Sequence, residues 1–175
     1  MGCLFVGPCI LLISKAHLTS NSSFNISSYS TYQYNHPDDS SHVGSVILFK
    51  SNIKHTILPP YQNNVIQSTY ILLTLNHIST TISSTYIRPG AKINPNDFDL
   101  FFNSLGNHFL VGVDFNAEHP RWCFNQPNTR SQTLNKFILD HNLKIFPLLA
   151  LHIGSHMPTN ILTFWTFLSL RSPVI

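Results

Sequence analysis

The sequence predicts one domain of the α+β class, an α/β sandwich with a β-sheet core and helices outside it. Two observations lead to this prediction: most apolar stretches are short and rich in β-branched residues, and only two segments repeat apolar residues with helical spacing. A chain of 175 residues is long enough to bury roughly two-thirds of the surface of its unfolded form. We therefore expect residues 1–175 to form a single domain.

The predicted strands are short apolar segments bounded by polar or turn-forming residues. They cover residues 9–14, 43–50 and 109–113, and a hairpin formed by 65–75 and 78–86 around Asn76 and His77. On the second arm of this hairpin, alternate residues from Ile78 onward share one face, and Tyr86 falls at the end of the strand. Residues 145–149 are a further candidate strand. By contrast, residues 17–41 are polar with turn chemistry at 35–39, and the Pro59-Pro60 pair is expected to break the chain.

Two helices are predicted from capping signals and apolar periodicity. The first begins with Asn94 as N-cap, Pro95 at the first helical position and Asp97 in the first turn, and Gly106 ends it. Its apolar residues recur at i, i+3, i+4 and i+7: Phe98, Phe101, Phe102 and Leu105. The second helix is expected over residues 131–141. Both helices therefore present an apolar face that can cover the sheet.

Composition restricts the classes of partner. Charged residues make up only 10% of the chain, below the ~25% typical of soluble domains, and the net charge is +3. Without a run of Lys and Arg, this charge is compatible with a nucleic-acid partner but does not point to one. The three Cys form no C-x-x-C pair, which argues against a disulfide framework and against a zinc site.

The N-terminal segment leaves two readings open. Its apolar run followed by Ala16 loosely matches a signal peptide, and Asn21 and Asn25 begin formal N-x-S acceptors, as in a small secreted glycoprotein. However, no Lys or Arg precedes the run and Pro8 interrupts it, which favours a buried strand and an intracellular, nuclear or cytoplasmic protein. No apolar stretch reaches the ~18 residues of a membrane span, so no membrane partner is expected.

The polar residues after strand 109–113 are the first candidate site. Asp114 and Asn116 flank Phe115, so they are expected on the same side of an extended segment while Phe115 points inward. A carboxylate that orients water and an amide that donates to a phosphate oxygen suit metal-assisted phosphoryl chemistry. Asp and Asn also form ordinary turns through their own side chains, and the spacing alone leaves that alternative open.

Five segments resemble, in the same order, the endonuclease domain of jockey/LINE-type non-LTR retrotransposons, over roughly residues 10–170. They are "LLISKAHLT", "NHPDDSSHVGSVILFKSNIKHTILPPYQ", "SSTYIRP", "FLVGVDFNAEHPRW" and "NTRSQTLNKFILDHNL". That domain is part of the endonuclease/exonuclease/phosphatase superfamily, which includes the apurinic/apyrimidinic endonucleases. The resemblance implies a four-layer α/β sandwich, incomplete at both ends, and a Mg²⁺-dependent endonuclease that cleaves DNA phosphodiesters. It also implies DNA as partner and, in an intact element, a reverse transcriptase domain.

The resemblance assigns roles to individual residues. Asp114 takes the water-activating or water-positioning role, Asn116 contacts the scissile phosphate, and Tyr86 points into the phosphate pocket. Four further residues are expected to contact or shape the DNA-binding region: Arg88, His119, Trp122 and Asn35. His36 and Arg130 are also expected near the site. The open alternative for Arg88 is a solvated surface residue, and for Asn35, His36 and Arg130 it is a structural role.

Several positions depart from the family pattern. Lys15 stands where the family has its Mg²⁺-binding Glu, and an ammonium group cannot ligate the ion. Thr163 and Thr166 stand where two Asp are expected, and Val113 replaces a Gly, which is expected to crowd a close backbone approach. We therefore expect no intact metal site, doubtful Mg²⁺ binding, and an endonuclease domain that is impaired or inactive. The alternative is a non-catalytic nucleic-acid- or protein-binding remnant of the same fold.

Overall fold

Two β-sheets stack face to face, and two helices cover the other side of the larger sheet. The computed structural model describes residues 9–14, 25–34, 44–75, 77–88, 90–115, 117, 120–122, 126–145 and 166–170, and for positions 75, 114, 122 and 166–170 it describes the backbone alone. No helix in these ranges is long and apolar enough to cross a bilayer. The candidate strand at 145–149 lies outside the described residues except for Ile145, which is not in a strand.

The smaller sheet has three antiparallel strands: β1 (Ile10–Ser14), β2 (Tyr29–Tyr34) and β3 (Ser45–Lys50). Their spatial order is β1-β3-β2, so β3 is central, which agrees with its nearly continuous apolar sequence. The sequence predicted β1 and β3 but not β2. The sequence of β2, YSTYQY, contains no aliphatic residue, and all six of its residues are only half-buried.

The larger sheet has five strands in the order β4-β5-β6-β7-β8. They are β4 (Thr56–Gln62), β5 (Ile66–Leu75), β6 (Ile78–Ile87), β7 (His108–Asp114) and β8 (Thr166–Leu170). The predicted hairpin is confirmed, because β5 and β6 pair along their whole length and His77 in the turn has a φ of 66°. Only one neighbouring pair in this sheet, β6 and β7, is parallel.

The prediction that Pro59-Pro60 breaks the chain is wrong, because both prolines lie within β4. Among the described strands, β4 is at the edge of the sheet and pairs on one side only, with β5. Proline lacks a backbone N–H and is therefore tolerated at an edge, where fewer ladder hydrogen bonds are required. The register between β4 and β5 shifts between Leu58 and Tyr61, where the two prolines interrupt the ladder.

The two predicted helices are confirmed with small shifts in their ends. Helix α1 (Pro95–Ser104) begins with a reciprocal capping box: the Asn94 side chain accepts from the Asp97 N–H, and the Asp97 carboxylate accepts from the Asn94 N–H. Gly106 follows the helix with a φ of 79°, as its predicted terminating role requires. Helix α2 (Thr129–Asp140) begins two residues earlier than predicted, because Asn128 caps it by accepting from the Ser131 N–H.

Two apolar cores hold the layers together. Between the helices and the larger sheet lies an aromatic-rich core, which includes Phe98, Phe101, Phe102, Phe109, Phe115 and Phe137. Between the two sheets lies a smaller core, which includes Ile47, Phe49, Ile71, Leu73 and Ile82. The predicted α+β sandwich is therefore confirmed, and the described residues form three of its four expected layers.

Candidate functional site

The candidate site lies at the edge where β6 and β7 end. These two strands run parallel, and their register pairs Tyr86 with Asp114 as the last matched residues. Because parallel strands point the same way, the residues that follow both strands emerge at the same edge of the sheet. We call this edge, marked by Ser14, Tyr86 and Asp114, the rim.

Strand β1 of the smaller sheet ends at the same rim. The Ser84 hydroxyl, two residues before Tyr86, donates to the backbone carbonyl of Ile13 at 2.8 Å, and both residues precede the ends of their strands. Beside this contact, Ser45 and Thr69 join the two sheets through their hydroxyl oxygens at 2.7 Å. The family resemblance places the segment "LLIS" at the same site as Asp114, and this segment ends at the rim.

Gly112 allows β1 and β7 to approach each other closely. A Cβ atom at position 112 would lie 2.7 Å from both Cβ and Cδ1 of Leu12, a distance that real Cβ atoms do not show. The close approach thus occurs at Gly112, not at the following residue. Val113 is fully buried in the core on the helix side, so the expectation that its side chain crowds the backbone approach is wrong.

Tyr86 is nearly buried at the rim, with 5% of its surface exposed. It lies on the same face of β6 as Ser84 and Ile82, which contact the smaller sheet, so alternation turns Tyr86 toward the gap between the sheets. Phe115, which follows Asp114, is buried in the helix-side core as the sequence predicted. The register therefore brings Tyr86 and the position of Asp114 together beside the gap.

Arg130 connects the loops that follow β6 and β7. Its guanidinium donates to the carbonyl oxygens of Phe115 at 3.1 Å, Arg88 at 3.0 Å and Ala91 at 2.8 Å. The predicted position of Arg130 near the site is thus observed, and its described contacts are with the backbone. Arg88 itself is exposed just beyond the end of β6.

The sequence did not single out Gln67 as a site residue, although β5 carries it next to Tyr86. The register aligns Gln67 with Tyr86, which is itself aligned with Asp114, so the three positions form one row across the sheet. Gln67 is 6% exposed, and its Oε1 has no hydrogen-bond partner among the residues that the structure describes. The sequence around Gln67, with Ile66 and Ser68 on either side, does not indicate a site residue. The missing hydrogen-bond partner is apparent only from the three-dimensional structure.

The other predicted site residues are outside the description or described only in part. Asn116, His119, Asn35 and Lys15 lie outside the described residues, as does His36. The residues directly before Lys15 and Asn35, Ser14 and Tyr34, end β1 and β2 and pair with Ser45. Trp122 ends a short 3₁₀ turn, Pro120–Trp122, of which the backbone is described. Within the described part of the chain, no three His, Cys, Asp or Glu side chains cluster as a metal site would require.

Comparisons with known proteins identify related sequences. Residues 80–162 match the family model described as endonuclease-reverse transcriptase, a span that contains Tyr86 and Asp114. The chain is 26% identical over 164 residues to the RNA-directed DNA polymerase from the mobile element jockey of Drosophila funebris. It is 28% identical over 129 residues to the corresponding protein of Drosophila melanogaster.

These matches cover 94% and 74% of the chain but only 17% and 14% of the two relatives. The chain therefore corresponds to a small part of each polymerase.

Two solved structures share the fold. The endonuclease domain of TRAS1, a telomere-specific non-LTR retrotransposon, superposes with a TM-score of 0.63 at 16% identity, covering 82% of this chain and 68% of that one. The AP endonuclease LMAP from Leishmania major superposes with a TM-score of 0.59 at 12% identity, covering 94% of this chain and 70% of that one.

Proposed function

Because the chain is related in sequence and fold to the endonuclease domains of jockey/LINE-type non-LTR retrotransposons, we propose that it binds the phosphodiester backbone of DNA at the rim, with impaired hydrolysis. The observation that carries the proposal is the register pairing of Tyr86 with Asp114 at the ends of parallel strands. A phenol and a carboxylate beside a gap between two sheets can hold a phosphate and a water molecule. The hydrogen bond from the Ser84 hydroxyl to the Ile13 carbonyl brings the end of a third strand, β1, to the same gap.

Each candidate residue has a separate part in this proposal. Asp114 orients or activates the attacking water, and Asn116 donates to the scissile phosphate without adding charge. The Tyr86 hydroxyl donates a hydrogen bond to a phosphate oxygen, and the exposed Arg88 forms an ion pair with a neighbouring phosphate. His119, Trp122 and Asn35 complete the contact with DNA. A reverse transcriptase domain is the proposed partner in an intact element, since the relatives above are RNA-directed DNA polymerases.

The impaired hydrolysis follows from Lys15. In the related family a Glu at this position would hold Mg²⁺, which lowers the pKa of bound water and stabilises developing charge. The ammonium of Lys15 has no lone pair to offer and repels a cation, so the available donors do not fit a complete Mg²⁺ site. The same positive charge attracts a phosphate, so DNA binding should be retained while hydrolysis is impaired.

Binding is tested by fluorescence anisotropy of the whole chain with labelled duplex DNA over a series of salt concentrations. Log K should fall linearly with log salt, because phosphate contacts release counterions. Arg88→Gln should reduce the slope by about one, the value for a single phosphate contact. Lys54→Gln is the matched control: Lys54 is exposed in the loop after β3, at the end of the sheets opposite the rim, and should leave the slope unchanged.

Hydrolysis is tested by nicking of supercoiled plasmid and of abasic duplex DNA in Mg²⁺. The unaltered chain should cleave weakly or not at all, and Lys15→Glu should raise cleavage in a manner that Asp114→Ala abolishes. Strong cleavage by the unaltered chain that depends on Asp114 would contradict the impairment. Affinity for DNA that does not change with salt would contradict the proposed binding itself.

A further inference from the structure

The geometry points to Gln67 as a further residue of the rim that contacts the DNA phosphodiester backbone, with its amide oxygen bonded to an ordered water and its amide N–H groups donating to a phosphate oxygen. This inference rests on the proposed function and extends it to a residue that the family resemblance did not assign. It begins from one atom, Gln67 Oε1, which is the only buried side-chain polar atom in the described part of the chain without a hydrogen-bond partner.

The direction of the Gln67 side chain follows from its own strand. Two residues farther along β5, Thr69 bonds to Ser45 of the smaller sheet, and Ile71 lies in the core between the sheets. Side chains at i, i+2 and i+4 of a strand share one face. Gln67 therefore faces the gap between the sheets, on the same side as Tyr86.

The buried hydroxyl groups near Gln67 have hydrogen-bond partners, whereas the amide oxygen of Gln67 has none among the described residues. Two residues below the Gln67–Tyr86 pair, Thr69 and Ser84 each donate to a backbone carbonyl of the smaller sheet, at 3.0 and 2.8 Å. On the other face of the sheet, Ser68, Ser83 and Thr85 bond to one another at 2.5 to 2.8 Å. The fold thus pairs the buried hydroxyls around Gln67 and leaves the amide oxygen at the rim without a described donor.

A buried acceptor without a partner is rare, because removing it from water costs free energy that a new hydrogen bond must offset. At the mouth of a ligand-binding gap, the missing partner is supplied by a ligand or by the water around it. An amide suits this role next to a phosphodiester, because it donates and accepts hydrogen bonds and carries no charge that would repel the phosphate.

Gln67→Met separates a DNA-contacting role from a structural role, since it keeps the length of the side chain and removes both hydrogen-bonding groups. If Gln67 contacts DNA, the variant should retain or raise the melting temperature, because the unpaired acceptor is gone, and should weaken duplex binding by about tenfold. Gln67→Glu should weaken binding further, and salt should partly mask its repulsion of phosphate.

Gln62 provides the matched control. It is aligned with Gln67 in the adjacent strand β4, one strand farther from Asp114, is exposed, and accepts a hydrogen bond from the Tyr34 hydroxyl. Gln62→Met and Gln62→Glu make the same chemical changes and should leave affinity within about twofold of the unaltered chain.

The result that would overturn the assignment is a Gln67→Met variant that melts earlier yet binds DNA as tightly as the unaltered chain. If Arg88→Gln weakens binding while Gln67→Met does not, the role of Gln67 alone is refuted and the proposed function stands. If the unaltered chain binds DNA without salt dependence, the proposed function and this inference fail together.

Discussion

The guanidinium of Arg130, in the first turn of α2, donates to the backbone carbonyl of Phe115, the residue between Asp114 and Asn116. The same side chain bonds the carbonyls of Arg88 and Ala91, which follow β6. One helix thereby fixes the positions of the two loops that leave the rim. Arginine suits this position because its planar guanidinium holds several donors in fixed directions.

Arg130→Lys should reduce the free energy of unfolding by about 1–3 kcal/mol, because an ammonium cannot reach three separate carbonyls in that geometry. Urea unfolding measures the change. Arg121→Lys is the control, since Arg121 is exposed and bonds the Asn135 side chain at 2.7 Å, and its effect should stay within about 0.5 kcal/mol. Equal effects of the two substitutions would contradict the connecting role of Arg130.

Gly112→Ala should destabilise the protein by about 1–3 kcal/mol, because its new Cβ would overlap Leu12 and push the two sheets apart. Thermal unfolding measures the loss. In a Leu12→Gly background the same substitution should cost less, since all three contacted side-chain atoms of Leu12 are then absent. A full, unchanged cost in that background would show that another contact limits the space at Gly112.

Asn94→Ala should lower the free energy of unfolding by about 1 kcal/mol, within the range measured for loss of an N-cap. Both hydrogen bonds of the capping box involve Asn94, but only the bond from the Asp97 N–H uses its side chain. The substitution removes that bond and keeps the bond from the backbone N–H of residue 94 to the Asp97 carboxylate. Asn103→Ala is a control of opposite sign: Asn103 is exposed in the last turn of α1, and alanine has the higher helix propensity. Destabilisation by both substitutions would argue against the capping explanation.

Burial raises the pKa of the Tyr70 hydroxyl, which bonds to Ser104 of α1 at 2.9 Å. The folded state therefore holds this proton more tightly than the unfolded state, where the pKa of tyrosine is about 10. The resulting stability is fully present below about pH 10 and is lost as pH rises through the higher pKa of the folded state. Tyr70→Phe should flatten the alkaline decline seen by urea unfolding, and an unchanged decline would assign it to other groups.

The two helices and the core strands were predictable because their signals are local. A capping residue, a helix-terminating glycine and apolar spacing lie within a few residues of one another, as around Asn94 and Gly106. Strand β2 was not predictable in this way, since YSTYQY forms a strand through its pairing with β3. Strand β4 was missed because a proline is excluded from a central strand, and the sequence alone does not reveal that β4 lies at an edge.

The same distinction between local signals and long-range contacts applies to the candidate site. Tyr86 and Asp114 are candidates that strand ends and motif order predict, and these are properties of the chain itself. Gln67 was not, because its unpaired oxygen depends on which residues the other strands bring next to it. The role of Arg130 was left open for a similar reason: its three carbonyl partners are 15 to 42 residues away along the chain.

The two consecutive prolines of β4 also bear on association between copies of the protein. An exposed sheet edge can recruit a strand from another chain through its free N–H and C=O groups, which leads to aggregation. Pro59 and Pro60 are exposed and supply no N–H in the middle of that edge, and the register shift beside them bends it. Neither proline can donate to an intermolecular ladder at this point, so the sequence feature that predicted a chain break should oppose self-association.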